Sequence, residues 1–79
     1  MVVPGGLVIK RMRNTKRYTQ FELSELCDCD VNSVGRWERG ESEPSWTKVF
    51  AIGERIGFKT MEVFNFYLEL QVVAEKEAA

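Results

Sequence analysis

Residues 19–45 read TQFELSELCDCDVNSVGRWERGESEPS, and this stretch decides the fold. Thr19 and Glu22 have the spacing of a capping box. The Thr19 hydroxyl can accept from the Glu22 backbone N–H while the Glu22 carboxylate reaches back to the N–H of Thr19. A helix carrying Leu23, Leu26 and Cys27 follows. Only Asp28 to Asp30 separate it from the next start signal, because Asp30 is a good N-cap for a helix running through Val34 and Trp37. Gly40 can end that helix in the left-handed conformation. The stretch therefore predicts two short helices joined by a three-residue turn.

Downstream, Glu41 to Pro44 is a polar turn. Ser45 caps a further helix with Trp46, Val49, Ile52 and Ile56 at helical spacing, closed by Gly57. Upstream, a first helix is expected from about Leu7 to Lys16, beginning after Gly5-Gly6, with Leu7/Val8, Ile9 and Met12 apolar among basic residues. Beyond Thr60 two periods compete. Phe64, Phe66, Leu68, Leu70 and Val72 alternate as in a strand, whereas Val63, Phe66/Tyr67, Leu70 and Val73/Ala74 form a helical stripe ahead of a helix-favouring AEKEAA end. Helix is preferred and strand is the second choice. Either way, the segment holds more apolar side chains than one face of a small domain can bury.

The chain is one small domain of 79 residues, with a core of about residues 6–60 and a C-terminal segment, 61–79, suited to dimerisation. A core this small gains from oligomerisation. The 44% apolar and 29% charged composition is that of a globular protein. No apolar run approaches the eighteen or so residues of a membrane span. The opening MVVPGGLVIKR lacks the order of a secretory signal, so a cytoplasmic location is expected. The net charge of −1 hides an asymmetry. Residues 1–40 hold seven Lys/Arg against five acids, and residues 41–79 hold four against seven, giving +2 and −3. From Lys10 to Arg17 every charge is positive, a distribution that gives one face an attraction for phosphate.

Histidine is absent, which removes the commonest general base and metal ligand together. Cys27 and Cys29 form a C-x-C with no second pair, too few for a four-ligand zinc site and badly placed for a disulfide. They read as small core side chains. No metal, cofactor or catalytic residue is expected.

Beyond the spacing, the residues of 19–45 resemble the Cro/phage-repressor (XRE-type) helix-turn-helix family. The resemblance continues through WTKVFAIGERIGFKTMEVF and covers about Ile9 to Phe64. Its most specific pieces are Thr19-Gln20, the RWERG of Arg36 to Gly40, and Pro44-Ser45. It implies an all-α, five-helix, lambda-repressor-like domain that binds operator DNA as a dimer, its third helix in the major groove. Some positions depart from the pattern. Arg17 and Asp28 stand where the family often has glycine, so different turns are expected there, and Cys27 and Cys29 occupy usual Leu and Val core positions. Gly35 lies inside the recognition helix, at a cost of about 1 kcal/mol relative to Ala. It either lets that helix approach DNA closely or is simply tolerated.

In such a motif the first turn of the recognition helix meets base edges. Val31, Asn32, Ser33 and Arg36 are the expected base contacts: Arg36 to guanine O6 and N7, Asn32 to adenine, Val31 to a thymine methyl, and Ser33 to a base or a phosphate. Phosphate contacts are expected from Gln20, at the N-terminus of its helix, and from Arg39, with Lys16 and Arg17 as helpers. Arg13 and Glu38 match positions that often form an internal ion pair and are set aside. Trp37, Trp46, Phe50 and Phe58 fall on apolar family positions and are expected in the core. Phe21 falls on a usually exposed one, where it packs on a neighbouring element or a partner.

The expected partner is a double-stranded DNA operator, near-palindromic and bound by a homodimer through Phe66, Leu68, Leu70 and Val73. The expected role is transcriptional regulation, as a repressor. An antitoxin, a restriction–modification controller and a phage regulator would use the same domain, and a protein partner is a further route of control. A protein-interaction module that leaves DNA alone is the rival of another class. It would tend to carry acids on the exposed face of the third helix, and Val31, Asn32, Ser33, Arg36 and Arg39 include none. An enzyme is disfavoured, since no nucleophile–base constellation exists.

Overall fold

The computed structural model describes residues 3–78, with side chains as far as Val73. Five helices follow in order: α1 Gly5–Thr15, α2 Gln20–Leu26, α3 Val31–Arg39, α4 Trp46–Arg55 and α5 Thr60–Ala78. The single-domain assignment of 1–79 also takes in Met1, Val2 and Ala79, which lie outside the described residues. The start and stop signals act as expected. Thr19 and Glu22 form the reciprocal capping box, at 3.0 and 2.9 Å. Asp30 accepts from the N–H of Asn32, and Ser45 from that of Lys48. Gly40 closes α3 with a φ of 77°.

The core is apolar and continuous, from Val8, Ile9 and Met12 of α1 through Leu23, Val34, Val49 and Ile52 to Ile56, Phe58 and Val63. Helix α1 packs against α3, α4 and α5, so it is the central element, and α2 packs chiefly on α3 and is tied to α4 by Arg55 Nε donating to the Leu26 carbonyl at 2.9 Å. Cys27 and Cys29 are free, half-buried and packed against this core. Burial, more than their mutual proximity, pushes the Cys27 thiol up, and burial does the same to Cys29. Both are therefore poor nucleophiles.

Three expectations are corrected. Helix α1 starts at Gly5, not Leu7. A Cβ on Gly6 would run into the Trp37 carbonyl, so glycine at this position permits the backbone of α1 to lie against that of α3. Pro4 offers no side-chain cap, and the Glu43 carboxylate supplies one from across the fold, accepting from the Gly5 N–H at 2.7 Å. Second, Trp46 is 39% exposed, not a core residue, while Trp37 and Phe50 are partly buried and Phe58 is buried as expected. Third, the turns at Arg17 and Asp28 keep the left-handed conformation without glycine, with φ of 61° and 51°. Their neighbours hold them there: the N–H of Tyr18 donates to Arg13, and that of Cys29 to Ser24. Each such residue costs about 1–2 kcal/mol.

The ambiguous segment after Thr60 is helical throughout. Val63, Phe66, Tyr67 and Leu70 fall at i, i+3, i+4 and i+7 and face the core. Phe66 meets Phe58 edge-on at 5.2 Å and Tyr67 meets Trp46 edge-on at 5.3 Å, which locks α5 against α4 and the turn before it. The strand-like alternation arises because the opposite face is apolar too. Met61, Phe64, Leu68 and Val72 line it, all exposed.

Candidate nucleic-acid interface

Helix α3 divides its residues cleanly. Val34, Trp37 and Glu38 turn inward. Asn32, Arg36 and Arg39, at i, i+4 and i+7, form a single exposed row, with Val31 and Ser33 half-buried at the first turn. An exposed polar row on a helix whose other side is fully packed presents its functional groups on a rigid support.

That support is an ion pair. Arg13 of α1 donates from Nε and Nη2 to the two carboxylate oxygens of Glu38, both at 2.8 Å, and from Nη1 to the Tyr18 carbonyl at 2.8 Å. The two side chains are only 14% and 3% exposed. The hydrogen bond to Glu38 raises the Arg13 guanidinium further above its ordinary range, outweighing burial. Glu38 also accepts from the Gln20 amide at 3.2 Å. One buried carboxylate thus joins α1, the N-terminus of α2 and the recognition helix. The internal pairing expected for Arg13 and Glu38 is present.

Gln20 and Arg39 both reach Gly35. A Cβ there would sit 2.9 Å from Arg39 Nη1 and 3.5 Å from Gln20 Oε1. The missing side chain leaves a shallow trough that both polar groups border. Arg39 is itself held by Glu41, with Nε and Nη2 donating to Oε2 at 3.0 and 2.7 Å. Each partner shifts the other through this hydrogen bond: the Arg39 guanidinium is raised and the Glu41 carboxyl lowered below its usual range.

The two remaining candidates diverge. Arg17 is exposed at its left-handed turn. Lys16 extends the other way, its ammonium 4.9 Å from the centre of the Phe58 ring. Phe21, beside Gln20, is 60% exposed.

A helix-turn-helix family model matches residues 9–64. The chain belongs to the Cro/phage-repressor (XRE-type) helix-turn-helix family. Against curated proteins and solved structures the chain has no match. As a member of this XRE family it is a DNA-binding regulator, and the family's domain is regulatory, not catalytic. No helix among the described residues is long and apolar enough to cross a membrane.

Sequence reasoning passed over Glu41 and Glu43 in this helix-turn-helix domain, reading both as part of a polar turn. Acidic residues flanking an arginine-rich helix end were the available signal. Their partners, Arg39 and the N-terminus of α1, became visible only with the chain folded.

Proposed function

We propose that the chain is a repressor that binds a near-palindromic operator as a homodimer and blocks access to an overlapping promoter. The observation that carries this reading is the exposed row Asn32, Arg36 and Arg39 on α3, with Gln20 beside it at the start of α2. In this assignment Val31, Asn32, Ser33 and Arg36 read base edges. Gln20 and Arg39 hold phosphates, with Arg17 at the flank. Lys16, turned onto Phe58, is left out of the phosphate set.

The homodimer forms through α5. Of the four residues first expected at the interface, Leu68 and Val73 are exposed, whereas Phe66 and Leu70 pack against the chain's own core. The interface therefore centres on Met61, Phe64, Leu68 and Val72, extended by Val73. A cleft of about 230 Å³ lined by Trp46, Phe50, Phe64 and Tyr67 adjoins this row and fits an apolar side chain of the second copy. A two-fold axis there forms a closed dimer and matches a palindromic site, with the two recognition helices about 34 Å apart. The protein works where the DNA is, in the cytoplasm.

Selection of bound sequences from a random duplex pool tests the DNA assignment. A palindromic consensus with half-sites one helical turn apart is expected. Recovery of sequences no different from the input pool would reject an operator-specific repressor.

A further inference from the structure

Glu41 stands in an unusual place for an acid. Gly40 turns the chain back at the end of α3, and the Glu41 N–H donates to the Arg36 carbonyl at 2.9 Å. Its carboxylate is thereby held at the C-terminal end of the recognition helix, where the helix dipole disfavours an anion. Arg39 compensates by closing a two-toothed contact on it, and Arg36 adds attraction from the same helix. An arginine fork on a carboxylate oxygen is the geometry the same fork uses on a phosphate oxygen. Both partners are more than half exposed, at 59% and 56%, so water competes and the contact is weak enough to exchange.

We propose that Glu41 is an intramolecular stand-in for a DNA phosphate: it holds Arg39 in the trough at Gly35 when the protein is free and yields Arg39 to the backbone of a bound duplex. This rests on the reading of Arg39 as a phosphate contact. Glu41 thereby keeps the Arg39 fork near its binding position, where the missing Gly35 side chain leaves room for it and for the Gln20 amide. It also sets a tax on every duplex, because the phosphate must displace an anion already in place. The tax falls on operator and random DNA alike, since phosphates carry no sequence. Glu41 sets the overall strength of backbone binding and the bases set preference.

The test is a cycle of E41Q, R39A and the double variant, each titrated with the selected operator and with a random-sequence duplex. Removing the stand-in is expected to tighten both duplexes about two- to fivefold in wild-type background. In the R39A background the gain is expected to vanish, because no fork remains to be released. A gain that persists without Arg39 would reduce Glu41 to through-space repulsion and overturn the proposal, as would no gain at all. Failure of wild type and E41Q to bind any duplex would overturn the DNA reading itself, and the role of Glu41 with it. The Arg39 Nε–H resonance gives a second readout. It is expected to exchange with water a few-fold more slowly in the free wild type than in free E41Q, and at equal rates in the two on duplex. Equal exchange in the two free proteins would show that Glu41 does not hold the fork.

Discussion

Helices α3 and α5 both pack one face on the core, but their free faces are opposites. The outer row of α3 is polar, and its Arg39 is tied to Glu41, while Gln20 at the start of α2 donates to a carboxylate that Arg13 anchors. The outer row of α5 is apolar, and Met61, Phe64, Leu68 and Val72 face water. Holding a polar group in place lowers the entropy cost of binding a highly charged ligand, and at Arg39 that saving is smaller than the cost of displacing Glu41. Apolar side chains aimed at a partner need no such tethering, since burial is non-directional. The pattern of restraint thus distinguishes a surface built for phosphates and base edges from one built for another apolar surface.

The strongest way to break the contrast is to remove the support of α3. Arg13→Ala strands the buried Glu38 carboxylate and is expected to cost about 3–5 kcal/mol of folding stability, measured by denaturant unfolding. A loss below about 1 kcal/mol would mean that Glu38 finds water and that the pair does not brace the recognition helix.

Next in size is Leu68→Asp on α5, read by sedimentation. Leu68 is 44% exposed, so covering it contributes about half of the roughly 1.5–3 kcal/mol of full burial, and a symmetric dimer loses it twice. Dissociation to monomers is expected, with an unfolding curve that no longer depends on protein concentration. A wild-type monomer at tens of micromolar, or a mutant dimer as tight as wild type, would remove α5 from the interface. Leu70→Asp is the poorer test, because Leu70 packs on the chain's own core and its loss would perturb the fold.

Within the α3 row, Arg36→Ala is expected to cost roughly 1–3 kcal/mol on the operator and to relax preference at one base pair. Arg39→Ala is expected to weaken all duplexes about equally and to lower the salt slope by about one unit. An exchange of these two signatures would reverse the assignment of bases and phosphates along the row.

The smallest effect is a titration. Glu41 protonates at lower pH in the folded chain than in the unfolded one. Its contribution to stability is therefore fully present above the ordinary glutamate range and is lost as pH falls through the lowered value. In an NMR titration of its side-chain carboxyl, the Glu41 midpoint is expected to rise towards the ordinary value in Arg39→Ala. An unmoved midpoint would show that the fork is not closed in solution.

The sequence by itself determined where α2, α3 and α4 begin. Capping is local chemistry: Thr19 with Glu22, Asp30 with Asn32 and Ser45 with Lys48 lie within three residues of one another, so spacing suffices to read them. The resemblance carried the family, the inward pair Arg13–Glu38 and an exposed side of α3 with Asn32, Arg36 and Arg39; it also put Val31 and Ser33 on that side, where they are half-buried. The folded structure alone decided the features that join residues distant in the chain. Leucine 7 looked like the start of α1 because glycine ordinarily breaks helices; the close passage of Gly6 by Trp37 reverses that preference. The alternation of 64–72 could not choose between strand and helix, because apolar residues on both sides of a helix satisfy either period. The choice fell to Phe58 and Trp46, whose rings receive Phe66 and Tyr67. The same packing withdrew Phe66 and Leu70 into the core and left Leu68 and Val73 outside. Glu41 and Glu43 have no local signature, since what each carboxylate does depends on which charge the fold brings within reach.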